Sequence, residues 1–428
     1  MEKIPGLQVY KFGGASVKDA AAILNLRQIV GSHSGQLVIV VSAMGKTTNA
    51  LEDIFDLAYN GKDYAGALGR VEAFHREAAA ALAAGARPDM MANIDEMFQD
   101  AFAELEAQLA DVSPLKDYDE QYDQVVSCGE LLASKFVAHV LNDLRPTSWL
   151  DCRPLLRTDE SWREGLVDWQ ATEATLRSEV LPRFQEVRTI VTQGFVGGTA
   201  DGRTTTLGRE GSDYTAAIMA YCLRAESVTI WKDVAGLLNA DPKIFPDTVR
   251  YPEISYRETI EMAYYGASVI HPKTLKPLAD RNIPLRVKSF LAPAAEGTLI
   301  HDCQHPALAP AFIRKTDQCL LTFASKDFSF ISEENLAVIF AALAQAKLKI
   351  NVMQNSAISF SVCIDFSQRR VHQLLDSLRE QFLLHYNTGL LLFTIKNYDS
   401  ASIATLTAGK RLLLEQRTRG TFQFVCAA

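Results

Sequence analysis

The sequence predicts an α/β chain: a mainly parallel sheet sandwiched by helices, followed by a smaller α+β region. Three observations carry that prediction. Short aliphatic runs such as Leu37 to Val41 alternate with segments of helical period. Strands separated by helices build a parallel sheet covered on both faces. After a proline-punctuated stretch at 291–310, the element order changes to strand–helix–strand–strand–helix–strand, a βαββαβ unit.

In chain order, Val9 to Phe12 reads as the first strand, stopped by Gly13-Gly14, and Lys18 to Val30 as a helix. Leu37 to Val41 is a central strand and Thr47 to Tyr59 a helix. The alanine- and glutamate-rich segment 63–110 reads as an antiparallel helical insertion broken near Gly85-Ala86-Arg87-Pro88. Gly129 to Leu144 is predicted helical, with Leu132, Phe136, Val140 and Leu144 on one stripe. Further strands are expected around Ser148, Thr189, Val228 and Leu285, with helices between them. A domain boundary is placed at 303/304. Beyond it, strands at 320–324, 350–354, 358–366 and 390–395 and helices at 333–346 and 371–382 form the βαββαβ unit. A truncated half-copy follows, with a helix near Ser402 and strands at 411–416 and 421–426, which suggests two small sandwiches sharing one interface.

The 428 residues, 48% of them hydrophobic, are enough for two domains with large cores. A formal charge of −8 gives no reason to bind nucleic acid or an anionic membrane. No apolar run reaches spanning length and the N-terminus lacks a signal-peptide core, so a cytoplasmic location is expected. Seven cysteines without CxxC spacing read as reduced thiols.

The stretch Thr189 to Tyr214 organises the rest. A short strand leads into a loop holding Gly194, Gly197, Gly198, Gly202, Gly208 and Gly211, and Ser212 or Asp213 is expected to cap the next helix. A strand, a loop rich in threonine and arginine, and a helix N-terminus make an anion site. Lys11-Phe12-Gly13-Gly14-Ala15-Ser16 follows the first strand in the same way, its glycines allowing close approach to a phosphate. It is not GxGxxG, so no dinucleotide fold is indicated. Gly45-Lys46-Thr47-Thr48 ends like a P-loop, but that loop's first glycine falls at Val40 inside a strand, and the reading fails. Thr48 at a helix start is a cap or a substrate contact. Glu130, also at a helix start, is a dipole partner or the countercharge of an ammonium. Lys232 and Asp233 follow a strand end, which suits a nucleotide site or a solvated loop. His301, Cys303 and His305 alternate within the proline-punctuated stretch without a fourth ligand, so no metal site is expected, and His271 before Pro272 reads as a structural helix start.

Seven stretches together resemble the aspartokinases of the amino acid kinase superfamily. They are YKFGGASV, VVSAMGKTTNAL, SCGELLASKF, TQGFVGG, GRTTTLGREGSDYTAA, WKDVAGLLNADPK and YYGASVIHPKTL, in the family's order between residues 10 and 300. The resemblance implies transfer of the γ-phosphoryl of ATP, carried with Mg2+, to the side-chain carboxylate of L-aspartate. It assigns Lys11 and Asp213 to the phosphoryl transfer. Thr48, Glu130, Thr206, Arg209 and Ser212 fall to the amino acid. Lys11, Gly13, Gly14, Ser16, Lys232, Asp233, Leu238, Lys243 and Ser268 fall to ATP. Departures concentrate on the nucleotide side: Lys232 stands where a threonine is common, Leu238 where a tyrosine is, Ser268 where a lysine is, and Lys243 replaces an arginine. A kinase for another carboxylate or a nucleoside monophosphate, and an inactive amino-acid sensor, are the competing expectations.

The C-terminal region resembles paired ferredoxin-like ACT domains, which implies a homodimer and an amino-acid effector near Asn351, Gln354 and Asn355. Lysine-inhibited relatives present acidic side chains there. This chain has amides, and Glu333 and Glu334 at the start of the first helix are the one acidic pair that could supply the charge instead. The absence of a downstream dinucleotide motif carries the expectation of no fused dehydrogenase.

Overall fold

The computed structural model describes residues 4–83, 88–267, 269–304 and 308–427. The expected break of the insertion at residues 84–87, as well as Ser268 and His305, lie outside the described residues. The chain forms two compact units, one of Met1–Leu237, Arg250–Ile260 and Val269–Gln304, the other of Leu238–Val249, Glu261–Ser268 and His305–Ala428.

The first unit begins with β1 (Leu7–Phe12), α1 (Ala20–Gly31), β2 (Gln36–Val41) and α2 (Thr47–Tyr59). The insertion supplies α3 (Ala65–Ala83) and α4 (Pro88–Ala110), and α5 (Tyr118–Val126) and α6 (Cys128–Asn142) return to the sheet. Then come β3 (Thr147–Leu150), α7 (Trp169–Arg183), β4 (Thr189–Gln193), β5 (Val196–Gly198), β6 (Thr204–Thr206) and α8 (Gly211–Leu223). The order continues with β7 (Ser227–Lys232), β8 (Glu253–Ser255), α9 (Tyr256–Tyr265), α10 (Pro272–Asp280), β9 (Leu285–Ser289) and β10 (Thr298–His301). Eight strands share one sheet in the order β3-β4-β2-β1-β7-β9-β10-β8, parallel except at β9–β10. β2, with its continuous buried run Leu37–Val41, lies between β1 and β4, where both faces are covered.

Three local expectations change. The glycine-rich loop after β4 contains an antiparallel ribbon, β5 with β6, because Thr204–Thr206 is β-branched and pairs with Val196–Gly198. Neither Ser212 nor Asp213 caps α8: the N-cap is Glu210 in the left-handed region, and both residues lie inside the first turn. Leu144 falls beyond the end of α6 and is 38% exposed, while Leu132, Phe136 and Val140 are buried as the stripe predicts. α5 is a separate helix that the sequence pattern does not isolate.

The second unit holds β11 (Ala311–Ser325), α11 (Glu333–Gln345), β12 (Ile350–Asn355), β13 (Ser359–Asp365), α12 (Gln368–Leu378) and β14 (Phe382–Lys396). It closes with α13 (Ser400–Thr407), β15 (Leu412–Arg417) and β16 (Thr421–Ala427). The βαββαβ unit and its half-copy are not two sandwiches. They share one antiparallel sheet in the order β12-β13-β11-β14-β16-β15. The reason is strand length: β11 and β14 have 15 residues each, so β11 pairs with β13 and β14 while β14 also carries β16.

In the first unit, Phe136 of α6 is fully buried with its ring 5.3 Å from that of Phe98 on α4, joining the insertion to the sheet-covering helix. Phe136→Ala is expected to lower stability by about 3–5 kcal/mol. Urea unfolding followed by circular dichroism would show it as an earlier first transition.

Candidate active site

The turns after β1 and β2 are stitched together at the strand C-termini. Ser42 N donates to Phe12 O, and Gly45 N donates to Gly14 O. A Cβ on Gly14 would come within 2.7 Å of the carbonyl oxygens of Ala43 and Gly45, so only glycine fits this approach. Beside them, α8 starts beneath the turn after β4, and a Cβ on Gly194 would lie 2.4 Å from the Cβ of Ser212. These close contacts bring three strand ends and the first turn of α8 around one cavity of about 660 Å3.

At its floor sits Asp213, 2% exposed. Its Oδ1 is 2.7 Å from Lys11 Nζ and its Oδ2 3.1 Å from Lys232 Nζ. Lys11 comes from β1 and Lys232 from the last residue of the adjacent parallel β7. Burial would raise the Asp213 carboxyl, but the two ammonium groups outweigh it and hold the group below the usual carboxylate range. Lys232 also donates to Val269 O at 2.5 Å.

Across the cavity, Glu130 lies in the first turn of α6 and is 3% exposed. Its Oε1 stands 3.5 Å from Thr48 Oγ1 at the start of α2, and its Oε2 is buried with no hydrogen-bond partner among the described residues. Burial pushes this carboxyl up to about 8, only partly countered by polar groups at Ala43 and Thr48. An unpartnered buried carboxylate oxygen facing a cavity is a place for a cation.

The structure therefore brings Lys11, Gly14 and Lys232 to one cavity with Asp213 and Ser212. Thr48, Glu130, Thr206 and Arg209 complete it from the other side. Arg209 is exposed and pairs with no acid among the described residues. Gly13 and Ser16 belong to the turn that frames the cavity without lining it, and Asp233 is exposed beyond the strand end. Leu238 and Lys243 fall in the second unit. In that unit the Asn351 amide is already engaged: Nδ2 donates to Gln318 Oε1 and Asp365 Oδ1, and Oδ1 accepts from Lys315 Nζ. Gln354 and Asn355 are exposed on β12.

Sequence reasoning missed Arg163, Glu52 and Tyr122, which also line the cavity, and Asp123, which braces it. The signal was present in Asp117, whose side chain accepts from Glu120 N and opens α5. It also missed that Lys232 shares Asp213 with Lys11, a pairing that exists only where β1 and β7 lie side by side. His271 caps α10 by accepting from Lys273 N, the structural part expected of it. Among the described residues no cluster of acids, histidines and cysteines could hold a metal ion.

A parallel sheet whose strand ends present two ammonium groups, a buried aspartate and glycine turns defines the class: the chain belongs to the amino acid kinase family, whose model matches residues 6–289. It is similar to the lysine-sensitive aspartokinase 3 of Escherichia coli (strain K12), 33% identical over 360 residues that cover 83% of this chain and 78% of that one. Two crystal structures of E. coli aspartokinase III are also similar at 28% identity. One is in complex with lysine and aspartate (T-state, TM-score 0.80), the other with aspartate and ADP (R-state, TM-score 0.79). Each match covers 98% of this chain and 96% of the solved one. Within the family, this chain stands with the aspartokinases.

Glu130 gives the site a pH signature. The folded chain keeps this carboxyl protonated up to about 8, whereas an ordinary glutamate releases its proton near 4.5. Stability from this group is therefore full below the ordinary value and is lost as pH rises through about 8. Glu130→Gln, neutral throughout, is expected to flatten that decline. Melting temperatures of both proteins between about pH 5 and pH 9 would check it, the wild type losing more.

Proposed function

We propose that this cavity transfers the γ-phosphoryl group of ATP to the side-chain carboxylate of L-aspartate, giving 4-phospho-L-aspartate. The observation that supports it most is the pairing of Asp213 with two ammonium groups, opposite the unpartnered Glu130 oxygen. One side of the cavity suits a polyanion and the other an ammonium.

The attacking carboxylate has an ordinary pKa near ~4 and is ionised at neutral pH, so no general base is required. The difficulty is to hold two anions in line while charge shifts onto the leaving phosphate. Lys11 neutralises the transferring phosphoryl, and the turn at Gly13 and Gly14 admits it close to backbone N–H groups. Lys232 meets the nucleotide phosphates, and Asp213 holds both ammonium groups in place. The substrate α-ammonium supplies the countercharge that Glu130 lacks, and with it Glu130 ionises. Arg209 grips the α-carboxylate through its fork of donors, with Thr48, Thr206 and Ser212 completing the pocket. Asp213 is committed to two ammonium groups and does not fit a divalent-cation ligand, so Mg2+ is read as arriving on the nucleotide.

The reading includes a cytoplasmic location. Among the described residues no helix is long and apolar enough to cross a membrane. It also includes a homodimer formed through the second unit, which exposes Phe328, Phe330 and Phe340. The test is ATP- and Mg2+-dependent acyl phosphate formation trapped with hydroxylamine, compared for aspartate, glutamate and no amino acid. Product formed mainly with aspartate supports the reading; as much product with glutamate, or product with no amino acid, overturns it.

Lys11→Met keeps most of the side-chain volume and removes the charge. Turnover in the hydroxamate assay is expected to fall by about two to three orders of magnitude with folding retained. Near-normal turnover would take Lys11 out of the mechanism.

The solved relative's complex contains lysine. In this chain the Asn351 amide is engaged internally, Gln354 and Asn355 are neutral, and the acids Glu333 and Glu334 stand in the first turn of α11. An amide offers an ammonium no countercharge, and a poorly compensated buried ammonium is weakly held. Weak inhibition by lysine alone is the expected outcome of a steady-state titration. Strong saturable inhibition at low lysine would assign the charge to Glu333, Glu334 or a partner subunit.

A further inference from the structure

Asp123 on α5 is fully buried, yet among the described residues no ammonium or guanidinium lies at ion-pair distance from it. A carboxylate in that position weakens a fold unless other donors replace water. Three donors do. Oδ2 accepts from Arg163 N at 2.9 Å and from Thr206 N at 2.8 Å, and Oδ1 accepts from Thr206 Oγ1 at 2.7 Å. Burial nonetheless dominates and keeps the carboxyl above its usual range.

What those donors belong to is informative. Thr206 closes β6 and Arg163 sits in a left-handed turn, and both line the cavity described above. Thr206 O in turn accepts from Gly165 N, so the 163–165 turn and the β6 end form one wall. Further along the chain, across the helix junction at Ser127, α6 brings Glu130 to the same cavity. One carboxylate thus ties the Thr206 wall to the helix pair that carries Glu130.

The neighbouring residue shows that holding the ribbon does not need a charge. Gln124 Nε2 donates to Thr204 O at 2.7 Å and its Oε1 accepts from Thr204 N at 3.0 Å, so a neutral amide already pairs the outer edge of β6 with α5. A buried acid beside it is a costly duplicate unless the exact place of Thr206 matters. An acceptor-only group also dictates which way the Thr206 hydroxyl points its proton, leaving the oxygen lone pairs for a donor in the cavity.

We propose that Asp123 is a positioning residue of the amino-acid site, setting the span between Glu130 and the Thr206–Arg209 wall and so selecting aspartate over the longer glutamate. The inference rests on the reading that this cavity takes aspartate. Its span is set from outside the cavity, by a group that touches no substrate atom.

The experiment compares wild type, Asp123→Asn and Asp123→Glu in the hydroxamate assay with aspartate and with glutamate, alongside melting temperatures. Asparagine keeps the size and one acceptor oxygen but turns an N–H2 group toward Thr206, and it removes the buried charge. The expected result is a melting temperature kept or raised, an aspartate KM about tenfold higher, and an ATP KM within about twofold. The aspartate-to-glutamate ratio of kcat/KM should fall about tenfold. Asp123→Glu keeps the acceptors but moves the wall by one methylene, so it should lower the same ratio while sparing ATP KM. Variants that melt earlier with unchanged aspartate KM and unchanged ratio would make Asp123 structural only and overturn the inference. Wild type inactive with aspartate would instead remove the kinase reading and this inference together.

Discussion

The rest of the first unit is arranged around a buried carboxylate held between two ammonium groups. Asp213 is almost without solvent, so its charge is tolerated only because Lys11 and Lys232 take one oxygen each. Removing one partner from such a group typically costs about 3–5 kcal/mol, since the remaining charge is left buried. The triad as a whole carries one net positive charge, which favours an incoming anion over water. Its geometry requires β1 and β7 to be neighbours and parallel, with α8 starting beneath them. Sheet order is thereby tied to site chemistry.

Close backbone approach is the second constraint. The turns after β1 and β2 touch through Gly14, and the turn after β4 touches α8 through Gly194, at distances that exclude a side chain. These contacts set the depth of the cavity. Glu130 then sits at its wall, protonated in the absence of a cation and ready to ionise when one arrives. The two sides of the cavity are electrically opposite: one is already paired and positive, the other is waiting for a positive group.

The second unit is held together differently. Its six-stranded antiparallel sheet is continuous because β11 and β14 each serve both halves, so the half-copy needs no closed core of its own. Around Asn351, one of the expected effector positions, the Asn351, Gln318, Asp365 and Lys315 side chains satisfy one another at the bulges of β11 and β12. That cluster stabilises the sheet edge and leaves the exposed amides of Gln354 and Asn355 as the polar groups facing outward.

Much of this is legible in the sequence. Apolar runs at Leu37 to Val41 and Thr189 to Thr192 predict central strands because a doubly covered strand has no polar face. Lys11, Gly14, Glu130, Arg209 and Asp213 stand out from local pattern and resemblance, since glycine turns and helix starts are local chemistry. Other features were decided only by the fold. The ribbon of β5 and β6 depends on pairing across a loop, and the single sheet of the second unit depends on strands long enough to be shared. Lys11 and Lys232 meet on Asp213 although they lie far apart in the sequence. Their meeting follows from the adjacency of β1 and β7, which is a property of sheet order alone. Asp123 reads in the sequence as one more acid in an acidic stretch, and only burial against Thr206 and Arg163 gives it a task. Local hydrogen bonding and hydrophobic period are written residue by residue, whereas partners for a buried charge come from whatever the tertiary structure places beside it.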